Sequence, residues 1–144
     1  MDDAEAKRKS AEEEALRYLS EPPPCAELLQ RSIVEIKENI LIADYIVKKE
    51  FCNPAGSMQG GFITAAFDCT FGPLSHICMK SLTVTIDIST QFHAPIYPPD
   101  ILIIEAEAVK LGKTILYMRG IARNQNGKLI ATADTTFMAM KSKN

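Results

Sequence analysis

Between Glu50 and Lys80 the chain carries one formal charge, the carboxylate of Asp68, within the run F-C-N-P-A-G-S-M-Q-G-G-F-I-T-A-A-F-D-C-T-F-G-P-L-S-H-I-C-M. Asp is a poor helix-interior residue because its short side chain competes for local backbone groups, and an unpaired carboxylate is costly to bury. An acid held where packing would favour an apolar side chain is a candidate for catalysis; the plain alternative is an Asp that faces solvent or caps a segment. Upstream stand Asn53, whose carboxamide both donates and accepts and can hold a carbonyl or a water, and the pair Gly60-Gly61. Glycines let a ligand approach the backbone closely, and the free N–H groups at a helix start favour an oxyanion. Asp68 lies two turns beyond Gly61, out of reach of the amide of its own helix start. A working site of this kind requires a second copy of the helix, and so a dimer.

Other reactive side chains fit chemistry less well. Cys25, Cys52, Cys69 and Cys78 show no C-x-x-C pairing, and the last three sit in apolar surroundings, as expected of reduced thiols in a cytoplasmic protein. Cys69 adjoins Asp68, but neighbours on a helix point about 100° apart, and a thiol in apolar surroundings is normally inert. His76 is expected just past the apolar helix and His93 in a loop, both as structural or surface residues. Neither has a second ligand pair beside it, so no metal site is expected.

The positioning elements follow from pattern. Residues 4–19 are mostly good helix formers with a weak apolar stripe (Ala11, Ala15, Tyr18, Leu19), stopped by Pro22, Pro23 and Pro24. Segments 32–37 and 40–50 are rich in β-branched residues and read as a hairpin turning at Glu38-Asn39. Segment 61–72 is apolar nearly all round, which implies a buried helix of about three turns. Residues 83–89 alternate, which would put Val84, Ile86 and Ile88 on one face and Thr85, Asp87 and Ser89 on the other. Strands are expected at about 101–110, 113–123 and 128–140, joined by tight turns. Short connections favour antiparallel pairing, so the fold class is α+β: an antiparallel sheet laid around one apolar helix.

Composition narrows the function classes. A chain of 144 residues with 47% apolar and 24% charged residues fits a single ordinary globular domain. Net charge is −2 and the Lys and Arg residues are scattered, leaving no footprint for nucleic acid or an anionic membrane. No run is long and apolar enough for a membrane span, and the start M-D-D-A-E lacks the pattern of a secretory signal; a cytoplasmic location is expected.

From about residue 33 to 140 the chain resembles the hotdog-fold acyl-CoA thioesterases, specifically the phenylacetate-pathway type of the 4-hydroxybenzoyl-CoA thioesterase superfamily. The resemblance is carried by N-P-A-G-x-x-x-G-G-x-x-x-x-x-x-D, by the strand S-L-T-V-T-I-D-I-S-T-Q-F-H-A-P, and by the later V-K-L-G-K-T-I-L-Y and N-G-K-L-I-A-T-A. It implies a hotdog domain over 25–144, with residues 1–24 as an added helix and Pro-rich linker, assembled as a homodimer or homotetramer. It further implies hydrolysis of an acyl-CoA, with coenzyme A as part of the substrate and no cofactor. By the same resemblance Asn53 orients the thioester or the attacking water, the Gly60 amide polarises the carbonyl, and Asp68 of the partner copy is general base or nucleophile. Thr85 then helps to hold the water, and Gln59 and Gly61 border the substrate. The family usually reads His-Gly-Gly where this chain has Gln59-Gly60-Gly61, and Gln donates a hydrogen bond without carrying a proton. That departure leaves the Asp-based mechanism standing and motivates a rival, a non-catalytic acyl-CoA-binding protein of the same fold. A dehydratase of this fold ranks lower, because no His occupies the loop before Gly60.

Overall fold

The structure, a computed structural model, describes residues 2–16 and 21–140. Helix α1 (Asp3–Leu16) runs along the first strand and the central helix, and a short helix α2 (Pro24–Leu28) follows. Tyr18 and Leu19 of the expected apolar stripe lie outside the described residues. Helix α2 was not anticipated from sequence: the prolines that stop one helix also start another, since Pro24 stands in the first turn, where its missing N–H is no loss.

Strands β1 (Ser32–Lys37) and β2 (Ile40–Ile46) form the expected hairpin, with Asn39 in the left-handed region at its turn (φ 63°). Strand β2 is shorter than the 40–50 segment suggested; a 3₁₀ turn at Lys49–Phe51 leads the chain away. After helix α3 (Gly60–Met79) come β3 (Thr83–Phe92), β4 (Ile101–Leu111), β5 (Ile115–Arg123) and β6 (Leu129–Ala139). All pairings are antiparallel, in one six-stranded sheet of order β1-β2-β4-β5-β6-β3. The sheet curls around α3, which is the arrangement of the hotdog fold. Alternate residues of the strands, among them Leu41, Leu102, Ile104, Leu116 and Met118, meet Phe67, Phe71 and Leu74 of α3 in one buried core. Two of the polar side chains carried into it pair with each other: the Tyr45 hydroxyl bonds Thr70 Oγ1 at 2.8 Å, and Thr70 Oγ1 donates to the Ala66 carbonyl.

Two sequence expectations are corrected. Helix α3 does not end near residue 72 but continues through Pro73 to Met79, and Lys80, in the left-handed region, caps it. Pro73 lacks the N–H that would bond the carbonyl of Cys69, and its ring crowds that carbonyl. Arg31 resolves the deficit: its Nη1 donates to the freed Cys69 oxygen at 3.0 Å. Tertiary structure thus lets the helix survive a residue that normally breaks it.

The second correction concerns β3. Thr85 pairs with Phe137 and Asp87 with Thr136, so Ile86 is an extra residue, a β-bulge. The bulge reverses the alternation across it. Val84 and Ile86 are 39% and 53% exposed, whereas Thr85, Ile88 and Thr90 stand opposite Phe137, Thr135 and Ala133, residues of the buried face. Val84 and Ile88 therefore do not share a face, and Thr85 turns towards α3. Strand β3 is also an edge of the sheet, paired on one side to β6.

Candidate active site

Helix α3 meets edge strand β3 along a polar seam. Thr64 Oγ1 donates to Thr90 Oγ1 at 2.9 Å, Thr85 Oγ1 donates to Asp68 Oδ1 at 2.8 Å, and the hydroxyls of Ser75 and Thr83 share a hydrogen bond at 2.6 Å. Asp68 is half-buried, with its carboxylate held by the strand hydroxyl that the bulge delivers. It lines a cavity of about 230 Å³ together with Thr85, Cys25, Arg31, Gly72 and His76. Of the residues marked in sequence, Asp68 and Thr85 are brought together.

Asn53 and Gly60 are brought together elsewhere, on a cavity of about 370 Å³ bordered also by Phe92 and His93. The Asn53 carboxamide organises its own loop: Oδ1 accepts from the N–H groups of Ala55 and Ser57, and Nδ2 donates to Ser57 Oγ at 3.0 Å. Gln59 caps α3; its Oε1 accepts from the Phe62 amide at 3.2 Å. The amides of Gly60 and Gly61 belong to the first turn of α3, where N–H groups have no partner within the helix. A side chain at either glycine would displace an exposed neighbouring side chain and not backbone. A Cβ at Gly60 would lie 2.9 Å from Phe92 Cζ, and one at Gly61 would lie 2.8 Å from Gln59 Oε1. The eight residues from Gly60 to Asp68 rise about 12 Å along the axis, so within one copy the two groups stand apart.

Burial pushes the Cys69 thiol up to about 12, reinforced by Cys25, so Cys69 is no nucleophile near neutral pH. Its Sγ nevertheless lies 3.8 Å from that of Cys25. His76, expected beyond the helix, is inside it, 8% exposed and on the Asp68 cavity; burial, then the nearby Arg31, lowers its pKa and keeps the ring neutral. Arg31 and Cys25 were missed as neighbours of Asp68. The one signal available was Pro73, which leaves a helix carbonyl in need of a donor. Among the described residues, no group of three or more His, Cys, Asp or Glu side chains is placed to hold a metal ion, and no helix is long and apolar enough to cross a membrane.

The family model of the thioesterase superfamily matches residues 55–131, which takes in Gly60, Asp68 and Thr85. A protein of Archaeoglobus fulgidus, provisionally named an esterase, is 33% identical over 132 residues, 91% of this chain and 84% of its own length. The chain belongs to the thioesterase superfamily. Among solved structures, the Escherichia coli PaaI protein from the phenylacetic acid degradation operon superposes with a TM-score of 0.82 at 20% identity, over 95% of this chain and 98% of its own. The phenylacetic acid degradation-related protein of Ralstonia eutropha, provisionally named a thioesterase, reaches 0.79 at 27% identity, covering 90% of this chain and 99% of its own. A Streptococcus mutans protein bound to acetyl-CoA reaches 0.73 at 22% identity, covering 79% and 91%. The hotdog fold expected from sequence is the fold of these superfamily neighbours.

Proposed function

We propose that the protein hydrolyses an acyl-CoA thioester, with Asp68 as general base or nucleophile, at a site completed by a second copy of the chain. The observation that carries this reading is the half-buried Asp68 carboxylate, fixed at 2.8 Å by the Thr85 hydroxyl and open to a cavity. Superfamily membership supports a hydrolase, and the acetyl-CoA bound by the Streptococcus mutans neighbour is of the same ligand class.

In the general-base form, Asp68 removes a proton from a water that attacks the thioester carbon, and Thr85 steadies the carboxylate. The carbonyl oxygen of the tetrahedral adduct takes its negative charge against the Gly60 N–H at the start of the other copy's α3. Collapse breaks the C–S bond; the coenzyme A thiolate leaves and recovers the proton from Asp68. A preset amide of this kind is worth about 10²–10³ in rate, and a positioned base about 10²–10⁴. Asn53 shapes the loop that presents the amide, and Gln59 caps the same turn. Coenzyme A enters as part of the substrate and leaves as a product, without a cofactor.

The need for two copies follows from the roughly 12 Å between the groups along α3. Edge strand β3 suits a homodimer contact, with Val84 and Ile86 exposed along it and Met138 (38% exposed) opposite Val84 on β6. A homotetramer would pair two such dimers. The domain reading remains residues 25–144 as the thioesterase unit, with 1–24 as an appendage. Release of free coenzyme A from a panel of acyl-CoAs, measured with a thiol reagent, tests the activity. Asp68→Asn should lower it by about 10²–10⁴ while leaving the thermal midpoint nearly unchanged. An unchanged rate would overturn the assignment. Tight acyl-CoA binding by calorimetry without thiol release would select the non-catalytic rival that Gln59 motivates.

A further inference from the structure

The cavity beside Asp68 extends along α3 on one stripe of the helix: Asp68, then Gly72 one turn on, then His76 a further turn on. Gly72 stands in the helix interior, where Gly is unfavourable, and a Cβ built there would meet nothing within 4 Å. Packing therefore does not require a glycine at this position; it leaves the cavity open. Two buried polar atoms among its lining residues are unsatisfied. His76 is more than nine-tenths buried, and its Nδ1 has no hydrogen-bond partner; neither has the buried Nε of Arg31. Among the described residues no carboxylate lies within 4.0 Å of the Arg31 guanidinium. Unpaired buried polar groups are costly, and a bound carboxylate would satisfy both, accepting from Arg31 Nε and from His76 Nδ1 in the tautomer that carries its proton there.

We propose that this cavity is the acyl pocket and that Arg31 and His76 select acyl groups ending in a carboxylate. The substrate class is then the coenzyme A monothioester of a dicarboxylic acid of medium length. The thioester carbon lies at Asp68, and the free carboxylate lies further along the helix, between Arg31, whose Nη1 reaches the Cys69 carbonyl, and His76, two turns beyond Asp68. Phe137 on the sheet side supplies an apolar wall for the methylenes between. The inference builds on the thioesterase reading, to which it adds the chemistry at the distal end.

The test compares adipyl-CoA with hexanoyl-CoA and suberyl-CoA with octanoyl-CoA on the full chain. For at least one chain length the carboxylate-ended member should have at least about tenfold higher kcat/KM, as for a site built to hydrogen-bond its substrate. Arg31→Gln should bring the ratio to about one. Because Arg31 also holds the Cys69 carbonyl, the same substitution is made in a Pro73→Ala background, where an N–H at residue 73 can take over that carbonyl. Gly72→Val, which fills the pocket, should depress turnover of both members of each pair. Equal or better turnover of hexanoyl- and octanoyl-CoA would overturn the inference while leaving the thioesterase reading intact. Should no thioester be cleaved, that reading fails, and calorimetry decides the pocket. Adipyl- or suberyl-CoA binding at least about tenfold more tightly than its monoacyl counterpart sustains the assignment, and equal binding ends it.

Discussion

The dependence of α3 on Arg31 can be measured by a double-mutant cycle with Pro73. The Nη1 of Arg31 donates to the Cys69 carbonyl at 3.0 Å, the oxygen that Pro73 leaves without its helical partner. A hydrogen bond from a charged donor is worth about 1.5–3 kcal/mol, and Arg31→Met leaves the carbonyl without a partner. Loss of the unpaired Nε works in the opposite direction, so about 2 kcal/mol is an upper figure. With Pro73→Ala, residue 73 regains an N–H that can close the bond to residue 69. Arg31→Met should then cost less by about 1–2 kcal/mol in that background, a coupling typical of residues that share a partner. Urea unfolding of the four proteins at one fixed protein concentration reads this directly. With m of about 1–3 kcal/mol/M, the coupling moves the midpoint by roughly 0.3–2 M without altering m. Costs that add to within about 0.5 kcal/mol would show that Arg31 does not support the proline-interrupted turn.

Three further outcomes are expected. Thr85→Val removes the hydroxyl that donates to Asp68 and should lower kcat/KM for acyl-CoA about tenfold or more, whereas Thr85→Ser should keep most of it; equal rates for all three proteins would remove Thr85 from the site. The His76 pKa is lowered in the folded protein below the ordinary 6.5, so the unfolded chain binds the extra proton first. The wild type should therefore lose stability as pH falls below about 6.5, and His76→Gln should flatten that slope, as thermal midpoints at pH 7.5 and 5.5 would show. The thiols of Cys25 and Cys69, 3.8 Å apart and 44 positions apart in sequence, should join on treatment with a thiol oxidant such as diamide, each giving up one electron and one proton to it. Closing a loop of that length is worth up to about 4 kcal/mol, so the midpoint should rise on oxidation and fall back with dithiothreitol. Cys25→Ser should abolish the rise, and an unchanged wild-type midpoint would refute the pairing.

Much of this architecture is legible in the chain. The strands after residue 100 lie within two residues of where the β-branched runs and tight turns place them, because alternation and turn chemistry are local signals. Asp68 stands out for a similar reason: one charge in an apolar run can be seen without knowing its neighbours. The misses are non-local. Where α3 continues past Pro73, the carbonyl left open is met by Arg31, a residue far upstream in sequence. The bulge at Ile86 depends on the register against β6, so an even alternation put Thr85 on the wrong face. His76 was displaced outward by the same underestimate of the helix, and with it went the far end of the cavity. That Asn53 and Gly60 sit on one cavity and Asp68 and Thr85 on another accords with the helical spacing argued from sequence.

The outermost position of β3 has a bearing on how readiness for chemistry is maintained. The hydroxyl that steadies the carboxylate hangs from the sheet's margin, laddered on one flank and, among the described residues, bare on the other. Sheet margins fray more readily than interiors, so whatever seats itself against the bare flank also stiffens Thr85. Self-association and the alignment of the Asp68 carboxylate would then be thermodynamically linked, and diluting the protein would loosen the second along with the first.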